Sequence, residues 1–359
     1  LAPVLCNTAL NLLRFIGKYI RMTYMLQSVA DQAVSNILEL CNFFFFTVHS
    51  FFTADAERVA GVFFSPHLKS VLDSLENKLF REDSSSEGRV EFNPCTLSGA
   101  VQLDAEPDYA LPERIVGAES INFISKQLDL IRPVFESLIS EKAYAEVEKY
   151  YTEVYFYSLN CSPLLSILTQ VLSVVPQIRE CIYGSVASRL LNYERIVMDV
   201  EGTKWDINEL QSQHSAYVDN LLKELIALKH RLSKINENIP ITKPVQRIFW
   251  STVIYCLFKA LVQGYGECGK RCSNEGRALM QLDFQQLLVK LEQIVEFSPI
   301  PHRAYVENYI KAYYLPESSM ETWIQQHSEY TTNQIVTLLN VATHVSKKAR
   351  TRIINALDD

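Results

Sequence analysis

Glycine is scarce in this chain, 11 in 359 residues, well below the roughly 7% of an average protein. Barrels and sandwiches need many tight turns, and this composition does not supply them. No apolar run approaches the roughly 20 residues of a spanning helix. The strongest, "LCNFFFFTVHSFF" at Leu40–Phe52, is flanked by Glu39 and Asp55 and carries Asn42 and His49, so it reads as a buried aromatic helix. Positive charge is also in deficit. The formal net charge is −7, so the whole molecule repels nucleic acid and anionic lipid, and any basic function has to be local. The eight cysteines fall at no repeating interval, which fits reduced, buried thiols rather than a disulfide framework. The chain opens at Leu1 with no charged segment ahead of an apolar run, so it reads as a fragment of something longer and not as a secretory leader.

What is present is helical periodicity and aromatic bulk, with 18 Tyr and 18 Phe. Leu5, Ala9, Leu12, Ile16 and Ile20 recur at three to four residues. Ser65-Pro66 and Ser162-Pro163 each combine an N-cap residue with proline at the first helical position. The first opens a helix to about Phe80. Pro133 and Pro176 predict breaks. Ile207, Leu210, His214, Tyr217, Leu221, Leu225, Leu228, Leu232 and Ile235 form a heptad-like seam, with Asp206 and Glu209 spaced as a capping box ahead of it. His214 reads as a satisfied boundary histidine. A further helix is predicted over about Val245–Val262. Ser318 and Glu321 have the spacing of a second capping box, and helices are predicted at Pro301–Leu315, Ser319–His327, Thr332–Val345 and Lys347–Leu357. Between Arg81 and Asp108 the text is rich in Ser, Gly, Pro and acids without a period, and reads as a disordered loop. The expected organisation is therefore all-α: a helical segment over 1–80, the loop over 81–108, and a C-terminal helical domain over 109–359.

One stretch invites chemistry. "GYGECGKRCSNEGRALMQLDFQQLL", at Gly264–Leu288, opens with the G-x-G-x-x-G spacing of dinucleotide sites. That motif needs a preceding strand and a helix starting at its glycines. Here a helical stripe of Val245, Phe249, Val253, Leu257 and Leu261 leads in, and the downstream helix starts only at Ser273. Cys268 and Cys272 lack a partner pair, and Lys270 and Arg271 between them oppose a dication. Gly276 lies on the face of the Met280, Phe284, Leu287 and Leu291 stripe, which predicts close approach of a neighbouring helix. No catalytic residue, metal or cofactor is assigned. The residues singled out for partner binding are Lys347, Lys348 and Arg352, on the polar face of the terminal "SKKARTRIINALDD", opposite Ala349, Ile353, Ala356 and Leu357. They are expected to meet an acidic surface on a vesicle-side protein or the membrane. The alternative is a solvated face on a helix continuing from Val345. Arg350 is expected to lay its stem over Leu357.

At "CSNEGRALMQLDFQQLLVKLE", "KWDINELQSQHSAYVDNLLKEL", "YVENYIKAYYLPESSMETWIQQHSEYTTNQIVTLLNV" and "KKARTRIINALDD" the chain resembles the C-terminal region of the syndetin family. That resemblance implies an elongated rod of stacked helical bundles of the tether (CATCHR-like) type and no catalysis. It further implies a part in the endosome-associated recycling complex, acting in endosomal recycling and dense-core vesicle maturation, peripheral on recycling endosomes and trans-Golgi membranes. The implied partners are the subunits shared with the Golgi-associated retrograde complex, SNAREs, Rab-type GTPases and a WD40-repeat interactor. Assembly of such tethers through N-terminal coiled coils would place the subunit contacts mostly outside this chain. A helical adaptor or small-GTPase effector outside tethering is the alternative, and an all-α enzyme assembled from distant residues comes third.

Overall fold

The computed structural model describes residues 3–53, 65–80, 103, 106–141, 143, 171–209, 213–267, 272–342 and 344–358. Among the described residues there are helices and no strand, as the scarcity of glycine and the three-to-four-residue stripes require. The helices are α1 (Asn7–Met25), α2 (Ala30–Thr53), α3 (Pro66–Phe80), α4 (Leu111–Leu138), α5 (Val171–Leu190), α6 (Tyr193–Glu201), α7 (Ala216–Asn238), α8 (Lys243–Glu267), α9 (Asn274–Val295), α10 (Arg303–Ala312), α11 (Glu317–Gln326), α12 (Thr332–Val341) and α13 (Lys347–Asp358). They form two compact units, one of Leu1–Val186 with Ile235–Gln246, the other of Ala187–Lys234 with Arg247–Asp359. The Ser162-Pro163 signature and residues 81–102, 104 and 105 of the acidic, Ser-rich stretch lie outside the described residues.

In the first unit α1, α2 and α4 pack together and α3 rests on α2. The aromatic run is buried as expected: Phe44, Phe45 and Phe52 are in the core with Val34, Ile37 and Cys41. Ser65 caps α3 by accepting the Leu68 N–H at 3.0 Å. Pro133 and Pro176 do not break their helices, contrary to the sequence expectation. Both prolines are exposed. A proline in a helix forfeits one backbone bond, and on a solvent-facing side water can satisfy the freed carbonyl.

Two buried polar groups set the ends of these helices. Arg114, 1% exposed, donates to the Phe52 carbonyl in the last turn of α2, to the Tyr109 carbonyl at 2.9 Å and to Ser185 Oγ at 2.6 Å. Asp108, Tyr109 and Ala110 all have left-handed φ, which non-glycine residues adopt only under local constraint; the Arg114 bond to Tyr109 fixes that entry into α4. Glu119 accepts from Arg179 Nη2 at 2.6 Å and from the Tyr183 hydroxyl at 3.0 Å, so its charge is paired where water is excluded. Burial, with Glu119 beside it, drives the Tyr183 hydroxyl well above its usual pKa.

In the second unit α8 runs to Glu267 and not to Val262, so Gly264 and Gly266 lie inside a helix. Among the described residues α8 alone is long and apolar enough to cross a membrane by composition, and 61% of that window is buried. It is the central core helix of this unit, with Val253, Ile254, Leu257, Phe258, Leu261 and Tyr265 excluded from solvent. Helix α7 begins at Ala216, ten residues after Asp206 in the anticipated capping box, and its buried stripe is Tyr217, Leu221, Leu225 and Leu228. The Ser318–Glu321 spacing is likewise not a cap, because α11 starts at Glu317 behind Pro316. The capping box among these short helices is Thr331–Gln334, at the start of α12.

His49 gives the first unit a pH signature. Burial lowers its pKa from 6.5 to about 4. Between those values the unfolded chain binds a proton that the folded chain refuses, so stability is full above pH 6.5 and falls as the pH drops. The loss reaches about 3 kcal/mol by pH 4. Measured by urea unfolding, the wild-type chain should lose more stability over this range than His49→Gln does. Equal slopes would mean that the imidazole is hydrated.

Candidate partner-binding surface

Helix α13 is a new helix, not a continuation of α12. Ser346 caps it, its hydroxyl accepting the Ala349 N–H at 3.2 Å. Glu317 holds the cap in turn, accepting the Ser346 N–H at 2.8 Å and its hydroxyl at 3.2 Å. The Ser346 N–H bond lowers the Glu317 pKa below the ordinary carboxylate value. Ala349 and Ile353 are buried, as the helical period predicts. The side chain of Leu357, over which Arg350 is expected to lie, is outside the described residues. The Arg350 guanidinium turns back, donating to the Val345 carbonyl at 3.0 Å and the Ala342 carbonyl at 3.1 Å, in the turn between α12 and α13.

Lys347 and Lys348 are exposed, and so is Arg352. Lys348 and Arg352 stand one turn apart, and Lys347 is displaced from Lys348 by about 100° around the axis. Arg352 Nη2 lies 2.7 Å from Glu321 Oε2, an ion pair whose side chains are 68% and 46% exposed; pairs so exposed add little stability. The cost of two cations in the first turn is offset by the Glu317 carboxylate at the same helix end.

The glycine-rich stretch has a packing explanation. At Gly264 a β-carbon would stand 2.7 Å from the Val200 side chain and 3.2 Å from the Val197 carbonyl, so the residue lets α6 cross α8 closely. At Gly276 a β-carbon would fall 1.9 Å from the Trp205 carbonyl oxygen. The close neighbour predicted there is therefore a non-helical strap, not a helix. The strap is fastened to the start of α9. The Ser273 N–H donates to the Trp205 carbonyl at 3.1 Å, and the Ser273 hydroxyl donates to the Ile207 carbonyl at 2.7 Å and caps Gly276 N at 3.0 Å. Trp205 Nε1 donates to the Val200 carbonyl at 2.9 Å. At its far end the Ser215 N–H donates to Asp283 Oδ1 at 2.8 Å. These bonds hold the described parts of Trp205–Ser215 out of α7, so Ile207 and His214 do not continue the helical seam. Burial raises the Asp283 pKa against the lowering effect of the Ser215 bond. His214 is half-buried and sits 2.9 Å from Asp219 Oδ1. Cys268 lies outside the described residues. Cys272 is half-buried beside the Ser273 carbonyl, and among the described residues no three His, Cys, Asp or Glu side chains gather as a metal site.

Arg277 was missed in the sequence. It is 3% exposed and donates to the Val341 carbonyl at 2.7 Å and the Tyr313 carbonyl at 3.4 Å, with the Tyr313 ring 5.2 Å from the guanidinium. It thereby joins α9 to the ends of α10 and α12, next to α13. The available signal was its register, three residues before Met280 and seven before Phe284 on the buried stripe.

Paired helices, internal glycines spent on close crossings and a charged terminal face define an all-α helical-bundle chain. The family model described as the C-terminal region of syndetin matches residues 108–358. The whole chain aligns, at 34% identity over 373 residues, with the proteins named syndetin of Rattus norvegicus, Mus musculus and Gallus gallus. The chain belongs to the syndetin family, and it spans about 37% of the length of these curated relatives.

The strap makes a testable contrast between two glycines. Gly276→Ala should destabilise the protein by about 3 kcal/mol or more, because the obstacle is backbone and cannot rotate away. Gly17→Ala in α1, where nothing lies within 4 Å, should stabilise it by about 0.5–1 kcal/mol. Denaturant unfolding of both variants checks this, and a silent Gly276→Ala would mean that the strap is not seated on α9.

Proposed function

We propose that this chain is the non-catalytic C-terminal part of a multisubunit vesicle tether acting in endosomal recycling and dense-core vesicle maturation. The observation that carries the reading is alignment of the whole chain with syndetins. The physical character of the chain is compatible with it: a helical scaffold has large faces for macromolecular contact. In this reading residues 1–80 are a helical segment and 109–359 the C-terminal helical domain of a tether-type rod. Subunits shared between the recycling and Golgi retrograde tethers bind mostly through other parts of the protein. SNAREs, Rab-type GTPases and a WD40-repeat protein are the partner classes available to this region. The chain works peripherally on recycling endosomes and trans-Golgi membranes.

Within that reading Lys347, Lys348 and Arg352 form the contact for an acidic surface on a vesicle-side protein. The supporting observation is that Ser346, Glu317 and Arg350 fix the helix while the three cations stay exposed. Proximity labelling in cells, with and without residues 1–359, tests the role: loss of tether subunits and endosomal proteins from the labelled set is the expected result. An unchanged set would contradict it. For the surface, Lys347→Glu, Lys348→Glu and Arg352→Glu combined should alter stability by no more than about 1 kcal/mol while reducing endosomal recruitment. Normal recruitment of the folded triple variant would leave these cations as a solvated face.

A further inference from the structure

Helix α1 carries a second stripe that its own unit does not use. Ala9, Leu12, Ile16 and Thr23 are buried, facing the bundle that α1 forms with α2 and α4. Bordering that face Phe15, Tyr19 and Met22 repeat at steps of four and three residues, and Leu26 and Val29 follow just past the end of α1. They are 51%, 42%, 37%, 53% and 41% exposed, and Met25 beside them is 87% exposed. A contiguous exposed apolar stripe of this kind marks an interaction surface.

Charge identifies the occupant. No Asp or Glu occurs before Asp31, while Arg14, Lys18 and Arg21 fall in α1, in a chain whose net charge is −7. Each cation immediately precedes a member of the stripe, so the three line one edge of it, about 100° from the apolar residues. Lys18 Nζ lies 5.9 Å from the Phe15 ring centroid. Arg14 Nη1 donates to Asn11 Oδ1 at 3.4 Å, and among the described residues no carboxylate pairs with any of the three. A helix-pairing surface usually flanks its seam with charges of both signs; α1 has one sign only. Aromatic and Met side chains beside long cations are the pattern of a helix lying in a lipid interface, its rings at headgroup depth and its cations reaching the phosphates.

We propose that α1 is a peripheral docking face for an anionic phospholipid surface. Phe15, Tyr19 and Met22 enter the headgroup region and Arg14, Lys18 and Arg21 bind the lipid charge. This stands apart from the tether reading, because it is tested with purified protein and vesicles. Each cation near an anionic leaflet is worth about fivefold in affinity. Cosedimentation of the 359-residue chain should therefore show at least about tenfold tighter binding to phosphatidylserine-containing vesicles than to phosphatidylcholine alone, with the difference shrinking as salt rises. Combining Arg14→Glu, Lys18→Glu and Arg21→Glu should abolish the preference with the circular dichroism unchanged, whereas the triple change on α13 should not affect it. Phe15→Trp, which leaves the charge alone, should shift its fluorescence to the blue on phosphatidylserine vesicles only. Absent binding, equal binding to neutral vesicles, or binding that survives the charge reversal each overturns the proposal. So does capture of an acidic amphipathic peptide by a chain that ignores vesicles, which would make this a protein dock.

Discussion

A buried guanidinium bonded to the carbonyl ends of helices is the constraint on which both units depend. Arg114 in the first unit and Arg277 in the second are 1% and 3% exposed. Removing such a charge from water costs several kcal/mol, so each is tolerable only where acceptors are already arranged. Helix C-termini supply them, with unsatisfied carbonyls and the negative end of the dipole. Arg114 takes the Phe52 carbonyl at the end of α2 together with the turn that opens α4. Arg277 takes Tyr313 after α10 and Val341 at the end of α12. Apolar stripes bring helices together without fixing where they end; these directional bonds do. Among the described residues Arg277 Nε has no hydrogen-bond partner, so its site is held by two carbonyls and a ring.

The stripes themselves were legible. Burial of Tyr217, Leu221, Leu225 and Leu228 on α7, and of Met280, Phe284, Leu287 and Leu291 on α9, follows from spacing alone. So do the caps at Ser65 and Ser273, whose hydroxyls accept an N–H three residues on. Failures occurred where a distant group outweighed a local preference. Asp206 and Glu209 have capping spacing, but Ser273 and Asp283, roughly seventy residues away in sequence, hold the strap out of the helix. Pro133 and Pro176 forecast breaks that exposure to water made unnecessary. The Arg350 guanidinium bonds backbone carbonyls in the turn before its own helix, which its spacing does not encode. Arg114 and Arg277 were overlooked because a cation on an apolar stripe reads as an edge residue unless its acceptors are known, and those acceptors are backbone atoms that no motif encodes.

The glycine spacing at Gly264–Gly269 shows how the same residues acquire a different meaning from their element. Inside α8 the first two glycines permit close packing, on Val200 at one and beside Tyr309 and Gln334 at the other. Cation placement follows a related logic. On α13 the charges sit over a helix fixed by Ser346, Glu317 and Arg350; on α1 they accompany an exposed apolar stripe. The first arrangement suits a charged protein surface, the second a lipid interface. In an acidic family member, local basic helices of these two kinds are compatible with a scaffold that works by contact.

Arg277 fixes α12 and, beside it, the presentation of α13. Amide hydrogen exchange on the Arg277→Met chain under native conditions measures this directly. Protection should be lost across Tyr313–Val345 and through α13, beyond any change within α9 itself. Protection in α12 and α13 equal to that of the wild type would show that apolar packing alone holds these helices, and would contradict that role for Arg277.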